Sequence, residues 1–401
     1  LQIGPLTLRN RFVKAATNEG MCKGGVISKG LAKFHERVAE GGAALSTVAY
    51  CATSPDGRTF VDQARLDQDT IKDFRVLTDG VHKHGGAACA QVTHAGSFTF
   101  LPKSELAVNR PLTASGGFNK LGVLSKRYFK KKMDRSGMDT MSAEFVQAAI
   151  YARESGFDAI ELHMGHGYLL SQFISPLYNK RKDEYGGSLE NRMRLPLRVL
   201  AAVREAVGDD FPIIGKISLT EGVRGGLQYD DAIEIGKMLD AGGIDGIVTS
   251  GGTSTMNPMI MFRGDNILQP MLKAETNPLM KLILRLVGPS MFKNYPYEEL
   301  YFLKQAKRLK AAVNCKMIYV GGASCTDSFN ELMEAGFDYI QLGRGLIADA
   351  DLVKQAQLAT EKNESYKSRC VHCNECVATI EHVDGIHCTR FEWLHVNAMS
   401  V

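Results

Sequence analysis

Short apolar segments recur along the chain, and amphipathic segments lie between them. Eight of the apolar segments have the length, and the content of small and β-branched residues, that are typical of buried parallel strands. They span residues 11–15, 43–49, 87–92, 159–163, 212–218, 245–250, 317–320 and 339–342. Strands that alternate with helices predict βαβ units, and eight such units close into a barrel more readily than they form a doubly wound sheet. The predicted fold is therefore α/β, a (β/α)8 TIM barrel.

Glycines follow four of the helical segments. Apolar residues recur at helical spacing in residues 142–155, 195–207, 229–241 and 328–335. The glycines that come next are Gly156, Gly208, Gly242 and Gly336. A glycine in the left-handed conformation commonly ends a helix, so we predict that each of the four stops its helix in that way.

Two long segments interrupt the alternation of strands and helices. Residues 97–139 follow the third predicted strand and residues 253–300 follow the sixth, where a plain connection needs only a few residues. Both leave the C-terminal ends of strands, and barrel enzymes keep their active sites at that end. We predict that both segments roof a binding pocket. The alternative is a surface elaboration that does not touch the substrate.

Composition narrows the classes of protein and partner. The 401 residues are 44% hydrophobic and 23% charged, and the net charge of +4 comes from 48 basic and 44 acidic residues. So small an excess indicates neither a nucleic-acid nor a membrane partner, which favours small-molecule ligands. The sequence contains no bilayer-length apolar run, no secretory signal layout and no G-x-G-x-x-G fingerprint. The expected protein is cytoplasmic, without a classical dinucleotide-binding domain, and a homo-oligomer stays open.

The most informative segment is Glu161-Leu-His163-Met-Gly-His166-Gly-Tyr168. It leaves a predicted strand and enters a helical pattern through two glycines, so its polar side chains fall at the catalytic end of the barrel. Two imidazoles that both donate N–H groups can bind one carbonyl or nitro oxygen and stabilise negative charge there. A tyrosine, whose ordinary pKa is about 10, is a suitable acid for protonating an enolate carbon. The alternative is that both histidines are satisfied turn residues.

Residues 175–192 follow, with the sequence Ser-Pro-Leu-Tyr-Asn-Lys-Arg-Lys-Asp-Glu-Tyr-Gly-Gly-Ser-Leu-Glu-Asn-Arg. Turn-forming residues and paired charges suit this loop to a structural role. Together with the preceding segment it closely resembles the Old Yellow Enzyme family, the FMN-dependent NADH:flavin oxidoreductases and ene-reductases, which are related to the barrel domain of 2,4-dienoyl-CoA reductase. The resemblance extends across almost the whole chain, since Leu6-Thr-Leu-Arg-Asn-Arg-Phe is similar to the family's approach to its first strand.

The resemblance implies roles for individual residues. It implies that Thr17 hydrogen-bonds the isoalloxazine ring of the flavin. Gln91, in Ala-Gln-Val-Thr-His-Ala-Gly, matches the glutamine that contacts the pyrimidine edge of that ring. It also implies that His163 and His166 bind the substrate oxygen and that Tyr168 donates the proton.

Lys216 lies on the fifth predicted strand, where the family usually has an arginine next to the flavin. A lysine still places positive charge there, but it lacks the planar fork of arginine, so the potential or the affinity of the flavin should differ. The alternative is a lysine that extends to solvent.

Two glycine-containing turns predict a phosphate site. Gly321 and Gly322 follow the seventh predicted strand, and Gly343 and Arg344 follow the eighth. Small residues let backbone amides approach phosphate oxygens, and an arginine adds charge-assisted hydrogen bonds. Many barrels bind phosphate in these loops, so the residues alone do not distinguish FMN from a phosphorylated metabolite. The family resemblance implies FMN.

Four cysteines, Cys370, Cys373, Cys376 and Cys388, form a C-x2-C-x2-C-x11-C arrangement. Four sulfur ligands suit zinc or an iron–sulfur cluster. The tail resembles that of dienoyl-CoA reductases, where such cysteines hold a [4Fe-4S] cluster, although the middle spacing is one residue shorter here. A cluster, a structural metal such as zinc and free thiols all stay open. We expect residues 1–368 to form the FMN-binding barrel and residues 369–401 to form a Cys-rich extension packed on it.

A basic run, residues 126–132, lies within the first insertion. It suits the phosphates of a nicotinamide nucleotide or a CoA thioester, and a solvated surface is the alternative.

The family resemblance implies a ping-pong reaction. NADH or NADPH delivers hydride to FMN and leaves, and an enone, enal or nitro compound then binds to His163 and His166 and receives hydride while Tyr168 protonates it. Two alternatives stay open: a 2,4-dienoyl-CoA reductase-like or demethylase-like subunit that uses a C-terminal iron–sulfur cluster, and a flavin-binding carrier or sensor without turnover. The physiological substrate and the choice between NADH and NADPH also stay open.

Overall fold

Eight parallel strands close into a barrel in the computed structural model, which describes residues 1–119, 122, 125–380, 382 and 384–391. In chain order the barrel strands are β1 Phe12–Lys14, β2 Leu45–Ala52, β3 Ala87–Thr93, β4 Ala159–His163, β5 Ile213–Ser218, β6 Gly246–Ser250, β7 Lys316–Tyr319 and β8 Tyr339–Leu342. Strands that are consecutive in the chain are neighbours in the barrel, and β8 pairs with β1 to close it. The predicted (β/α)8 barrel is confirmed, and each predicted strand overlaps an observed one.

Helices connect the strands, and most of them surround the barrel. They are α1 Lys29–Glu40, α2 Ile71–Lys83, α3 Arg135–Glu154, α4 Leu169–Ile174, α5 Leu189–Val207, α6 Tyr229–Ala241, α7 Leu268–Ala274, α8 Pro278–Met291, α9 Leu303–Lys310, α10 Thr326–Glu334, α11 Arg344–Ala348 and α12 Leu352–Glu361. Helices α3 and α5 begin six or seven residues before the predicted segments, because their N-caps lie upstream. The Asp134 side chain accepts the Gly137 N–H, and the Ser188 side chain accepts the Asn191 N–H.

Three of the four predicted helix-stop glycines have the left-handed sign of φ. Gly156, Gly208 and Gly336 have φ values of 81°, 73° and 80°. The prediction for Gly242 is wrong, because its φ is −78° and its N–H still bonds to the Met238 carbonyl. The next residue, Gly243, takes φ of 81° instead. Two consecutive glycines carry no side chain that would distinguish them, so sequence reasoning misplaced the stop by one residue.

Apolar side chains fill both faces of the barrel wall. The larger core lies between the strands and the surrounding helices. A smaller core fills the N-terminal part of the barrel interior with residues such as Val13, Leu45 and Ile214. It includes Ile3 and Leu8, because the hairpin of Gln2–Ile3 and Leu6–Thr7 covers that end. Polar side chains are thereby left to the C-terminal end of the interior, where the candidate site lies.

The two insertions form compact structures of their own. In the first, the short strands Leu112–Thr113, Gly117–Phe118 and Phe129–Lys132 form a three-stranded sheet. In the second, α7 and α8 share an apolar cluster that includes Leu268, Leu284 and Phe292. Residues 120, 121, 123 and 124 of the first insertion and residues 381, 383 and 392–401 of the predicted extension lie outside the described residues. Among the described helices, none is both long and apolar enough to cross a membrane.

Candidate functional site

A cavity of about 440 Å3 opens at the C-terminal end of the barrel. Every barrel strand, or the turn that directly follows it, contributes to its wall. The contributing residues include Thr17, Tyr50, Gln91, His163, Lys216, Ser250, Val320 and Gln341. A concave, mostly apolar pocket with a few convergent polar groups at this end is where barrel enzymes bind their ligands.

The second insertion provides most of the roof. Met261, Phe262, Met271 and Phe292 all line the cavity and come from residues 253–300. The first insertion contributes Phe98 to the wall. The second insertion therefore forms most of the roof, as predicted. Most described residues of the first insertion lie away from the cavity.

The two predicted histidines lie together on the cavity wall and hydrogen-bond to each other. Nε2 of His163, the last residue of β4, is 2.9 Å from Nδ1 of His166, and Nε2 of His166 is 2.7 Å from Oγ of Ser250. His166 has φ of 61°, which costs about 1–3 kcal/mol in a non-glycine residue and folds its ring back onto His163. Gly167 follows with φ of 85°, and a Cβ there would lie 2.8 Å from Oγ1 of Thr253, so the turn requires glycine.

Both imidazoles are neutral at pH 7. Burial, aided by the positive charge of Lys216, lowers the pKa of His166 to about 3. Burial, with smaller effects of His166 and Lys216, holds the pKa of His163 well below its ordinary value of 6.5. Nδ1 of His163 is buried and has no hydrogen-bond partner among the described residues. If Ser250 donates to His166 and His166 donates to His163, then Nδ1 of His163 carries the one free N–H.

Tyr168 lies against this pair and is protonated at neutral pH. Its ring centroid is 4.4 Å from that of His163 and 5.2 Å from that of Tyr50. The hydroxyl groups of Tyr50, Ser254 and Thr59 are close enough to that of Tyr168 to affect its pKa. Burial, together with the proximity of Tyr50, raises the pKa of Tyr168 well above 10. Sequence reasoning missed Tyr50, which lies over 100 residues away in the chain.

A buried carboxylate organises the polar floor of the cavity. Oε1 of Glu161 accepts a hydrogen bond of 2.6 Å from Nε2 of Gln91 and lies 3.2 Å from Nζ of Lys216. Nε2 of Gln341 donates to the other oxygen of Glu161 at 3.4 Å, while Oε1 of Gln341 is buried and has no partner among the described residues. The predicted residues Gln91 and Lys216 thus share one partner, and Lys216 does not extend to solvent.

A second buried ion pair lies next to Thr17. Nζ of Lys14, on β1, is 2.5 Å from Oε1 of Glu19, and each side chain is 1% exposed. Oγ1 of Thr17 donates to Glu19 at 2.5 Å and accepts from Lys14 at 3.0 Å. Sequence reasoning missed this pair, although a lysine within the apolar run of a strand was a signal that could have found it.

The turns after β7 and β8 supply the predicted glycines and arginine. Gly322, Gly343 and Arg344 line the cavity, as does Ser324, which sequence reasoning did not single out. Gly321 does not line it, and its carbonyl accepts a hydrogen bond from the Tyr319 hydroxyl instead.

All four C-terminal cysteines meet at a second, small cavity. Cys370, Cys373, Cys376 and Cys388 line it together with Arg344 and other residues. Tetrahedral zinc, with Zn–S distances of about 2.3 Å, needs its sulfurs roughly 3.8 Å apart. No described group whose possible ligand atoms all lie within 4.8 Å contains a cysteine. The structure therefore brings the four thiols together, but not at the spacing of a closed zinc site.

Possible ligand atoms do lie within 4.8 Å of one another in a different group, which consists of Asp56, His94 and Glu144. Nδ1 of His94 accepts the Gly96 N–H at 3.0 Å, so its single proton lies on Nε2. A metal-bound histidine would have to donate from its second nitrogen. Burial and the proximity of Asp56 raise the pKa of Glu144 to about 7. These observations favour a site in which Glu144 binds a proton over one that binds a metal ion.

The sequence pattern of one protein family covers most of the barrel. The NADH:flavin oxidoreductase / NADH oxidase family matches residues 1–256. The chain belongs to this family. The resemblance to Old Yellow Enzyme relatives is thereby confirmed, and the protein is an NAD(P)H-dependent flavin oxidoreductase.

This flavin oxidoreductase has characterised relatives of two lengths. It is 38% identical over 380 residues to 4,4'-dithiodibutanoate disulfide reductase of Rhodococcus erythropolis. That alignment covers 94% of this chain and 91% of the relative. It is 31% identical over 379 residues to the NADH oxidase of Thermoanaerobacter brockii. That alignment covers 93% of this chain but only 52% of the relative. The chain thus spans about half the length of the second relative.

Solved structures agree with the observed fold. The Old Yellow Enzyme homologue of Zymomonas mobilis superposes with a TM-score of 0.68 at 20% identity, covering 92% of this chain and 93% of that one. Likeness at this level of identity shows a common barrel architecture.

The cavity of this flavin oxidoreductase fits FMN. The unpartnered carbonyl of Gln341, beside Gln91 and Lys216, suits a ring edge that both donates and accepts hydrogen bonds. Arg344 supplies a positive charge on the same wall, next to the small residues of the turns after β7 and β8. Hydrogen-bonding groups for a ring and a positive charge for a phosphate therefore face the same cavity, as a ligand that carries both requires.

The depressed histidine pKa values predict an acid-labile fold. Because folded His166 resists a proton that the unfolded chain binds near pH 6.5, stability should fall as pH drops from about 6.5 towards 3, by about 1.4 kcal/mol per pH unit. In His166→Asn the free energy of unfolding should therefore depend less steeply on pH between pH 6 and 4. The slope should be smaller by about 1.4 kcal/mol per pH unit. Denaturant unfolding at several pH values measures this slope. Ser250→Ala, which removes no ionisable group, is the control, and equal slopes for parent and His166→Asn would contradict the assignment.

Proposed function

We propose that this flavin oxidoreductase reduces a carbon–carbon double bond conjugated to a carbonyl or nitro group. The observation that carries the proposal is the buried, unpartnered Nδ1 of His163, on the same cavity wall as His166 and Tyr168. Bound FMN would accept hydride from NADH or NADPH and supply it to the substrate. The chain's own residues would hold the ligands, stabilise charge and move a proton.

In this proposal the cofactor-binding residues lie on the polar floor of the cavity and in the turns that follow β1, β7 and β8. Thr17, Gln91 and Lys216 would contact the ring, and Gln341 joins them because its carbonyl lacks a partner. Gly322, Gly343 and Arg344 would bind the phosphate, with Gly321 behind them in the turn.

The substrate oxygen would bind to the histidine pair. With Ser250 donating to His166 and His166 donating to His163, the proton of His163 would lie on Nδ1, where it would be a neutral and already oriented donor. As negative charge grows on the oxygen, a donor in a water-poor pocket stabilises it more strongly than solvent would. Roof residues such as Phe292 and Met261 exclude water from this space.

The proton would come from Tyr168. Its raised pKa keeps it protonated until a strongly basic carbon forms beside it. The nearby hydroxyls of Ser254 and Thr59, which favour the ionised form of Tyr168, would stabilise the phenolate left behind.

Anaerobic stopped-flow absorbance tests the proposal. NADPH should bleach the flavin absorption of the purified holoenzyme, and 2-cyclohexenone or 1-nitrocyclohexene should restore it within seconds. A flavin that is reduced but not reoxidised by any enone, enal or nitroalkene would contradict double-bond reduction and favour the carrier role.

Disulfide reduction is a second candidate function, and the specific observation in its favour is the relative from Rhodococcus erythropolis that is named a disulfide reductase. The overall reaction would be NAD(P)H plus a proton plus R–S–S–R giving NAD(P)+ and two thiols. Hydride adds to one sulfur as the S–S bond breaks, and the other sulfur leaves as a thiolate. Reoxidation of the reduced flavin by 4,4'-dithiodibutanoate tests this candidate.

Tyr168→Phe separates the two candidates. Removing the phenol should slow enone-driven reoxidation of the flavin by about 100-fold or more, because a carbon must be protonated. A leaving thiolate, with an ordinary thiol pKa of about 8.5, needs no such acid, so disulfide-driven reoxidation should change by less than about threefold. Flavin reduction by NADPH is the internal control, since it should stay unchanged. An equal loss with both oxidants would contradict the assigned role of Tyr168.

For the cysteine cluster we propose a [4Fe-4S] cluster, on the basis of the four converging thiols and their wide spacing. Iron analysis and a broad brown absorption beyond the flavin bands test it. Cys376→Ala should lose both and keep its FMN, whereas Cys325→Ala should keep all three. Zinc in place of iron, or no metal after anaerobic purification, would contradict it.

A further inference from the structure

Helix α8 exposes an apolar stripe where a surface helix normally has polar residues. Leu279, Leu282, Leu286 and Val287 are all exposed, and Leu282 and Leu286 retain 51% and 74% of their accessible surface. Spacings of three, four and seven residues place the three leucines on one side of the helix. The opposite side, with Leu284 and Gly288, packs against the protein. The helix is therefore apolar on both faces, and within the described part of the chain nothing covers one of them.

The charged residues within α8 are all basic, and the nearest acidic residues along the chain are Glu275 and Glu298. Residues 276–297 contain Lys281, Arg285 and Lys293 and no aspartate or glutamate. Basic residues next to an exposed apolar face are the arrangement of helices that lie in the plane of an anionic lipid surface. The net charge of the whole chain gave no indication of this, because acidic residues elsewhere balance the local excess.

A second exposed apolar pair with basic neighbours lies in the first insertion. Phe118 and Phe129 face each other across the small sheet and are both exposed. They adjoin the basic residues of the run 126–132. The two insertions follow β3 and β6, whose C-terminal ends lie at the end of the barrel that carries the cavity.

We propose that these two patches dock the C-terminal end of the barrel onto an anionic lipid surface. Helix α8 would lie in the headgroup region with its leucine stripe in the acyl boundary, and Lys281, Arg285 and the run 126–132 would contact the lipid phosphates. A second copy of this chain fits the stripe less well. A face-to-face pairing would set these basic residues near their own copies, with no acidic residue in 276–297 to neutralise them.

The docked helices would also connect the lipid surface to the cavity. Ile267, Met271 and Phe292, which belong to or adjoin α7 and α8, line the cavity. An apolar compound dissolved in the lipid would thus lie close to the roof. The docking proposal rests on the surface alone and does not depend on which substrate is reduced.

Vesicle co-sedimentation of the holoenzyme tests the proposal. The parent protein should bind vesicles that contain phosphatidylserine, bind pure phosphatidylcholine vesicles much more weakly, and lose binding as salt is raised. Leu282→Glu/Leu286→Glu should reduce binding at least about tenfold, because it puts two negative charges on the stripe. Val76→Glu/Leu358→Glu is the matched control, since it places the same charges at exposed apolar positions on α2 and α12, and it should bind as the parent does.

Light scattering decides between the lipid and a second copy. All variants should keep the FMN content and the mass of the parent, since the changed residues are exposed and lie outside the cavity wall. The proposal is overturned if the parent fails to bind either vesicle, or if Leu282→Glu/Leu286→Glu binds as the parent does. It is also overturned if that variant converts a dimer to a monomer and vesicle binding is absent throughout.

Discussion

His166→Ala should slow the reoxidation of the reduced flavin by 2-cyclohexenone by about 100- to 1000-fold, the usual effect of losing an oxyanion donor. The substitution removes the ring that holds Nε2 of His163 at 2.9 Å, and with it the only connection to Ser250 found in the described site. His163 then loses both its orientation and the fixed position of its proton. Stopped-flow absorbance after anaerobic reduction by NADPH measures the rate.

Ser250→Ala is the graded control for this experiment. It removes the hydroxyl that fixes the proton on His166 but keeps both rings, so a loss of about tenfold is expected. FMN content and the rate of reduction by NADPH should stay at the parent value in both variants, because neither residue is assigned to the cofactor. A rate for His166→Ala within threefold of the parent rate would contradict a role of the pair in binding the substrate oxygen.

Lys14→Met should lower the free energy of unfolding by about 3–5 kcal/mol, because it leaves Glu19 buried without its charged partner. Burial already raises the pKa of Glu19, and the loss of Lys14 would raise it further and drive the carboxyl to bind a proton. Denaturant unfolding at pH 7, followed by circular dichroism, measures the change.

Two further variants isolate the ion pair. Lys14→Met/Glu19→Leu should be more stable than Lys14→Met alone, because no unpaired charge is then buried. Lys33→Met breaks an ion pair with Glu36 at the surface, where Lys33 is 47% exposed, and should cost less than about 1 kcal/mol. If Lys14→Met were no more destabilising than Lys33→Met, the buried pair would not hold the residues after β1 in place.

The barrel was predictable because its causes are local. Buried parallel strands need continuous apolar runs such as residues 159–163 and 339–342, and these coincide with β4 and β8 as observed. Helix starts were less predictable, because α3 and α5 begin at caps rather than at the first apolar repeat. The choice between Gly242 and Gly243 as the helix stop depends on where the following strand packs, which no local pattern records.

The site was predictable where a motif places a side chain at a strand end. His163, Gln91 and Lys216 lie on barrel strands and do line one cavity. Two features were missed because each joins segments far apart in the chain. Ser250, on β6, completes the hydrogen bonds of His166, and Tyr50, on β2, packs its ring against that of Tyr168.

By itself the sequence determined the eight-stranded barrel, the family and the identity of the polar residues at the strand ends, because periodicity and motif spacing are properties of neighbouring residues. The tertiary structure decided which of those residues share a partner. It paired His163 with His166, brought Lys216 and Gln91 to the same carboxylate oxygen of Glu161, and left the leucine stripe of α8 exposed. Barrel closure brings residues from distant strands within hydrogen-bond distance and withdraws them from water. Partners, proton positions and exposed surfaces follow from that closure and cannot be deduced from local pattern alone.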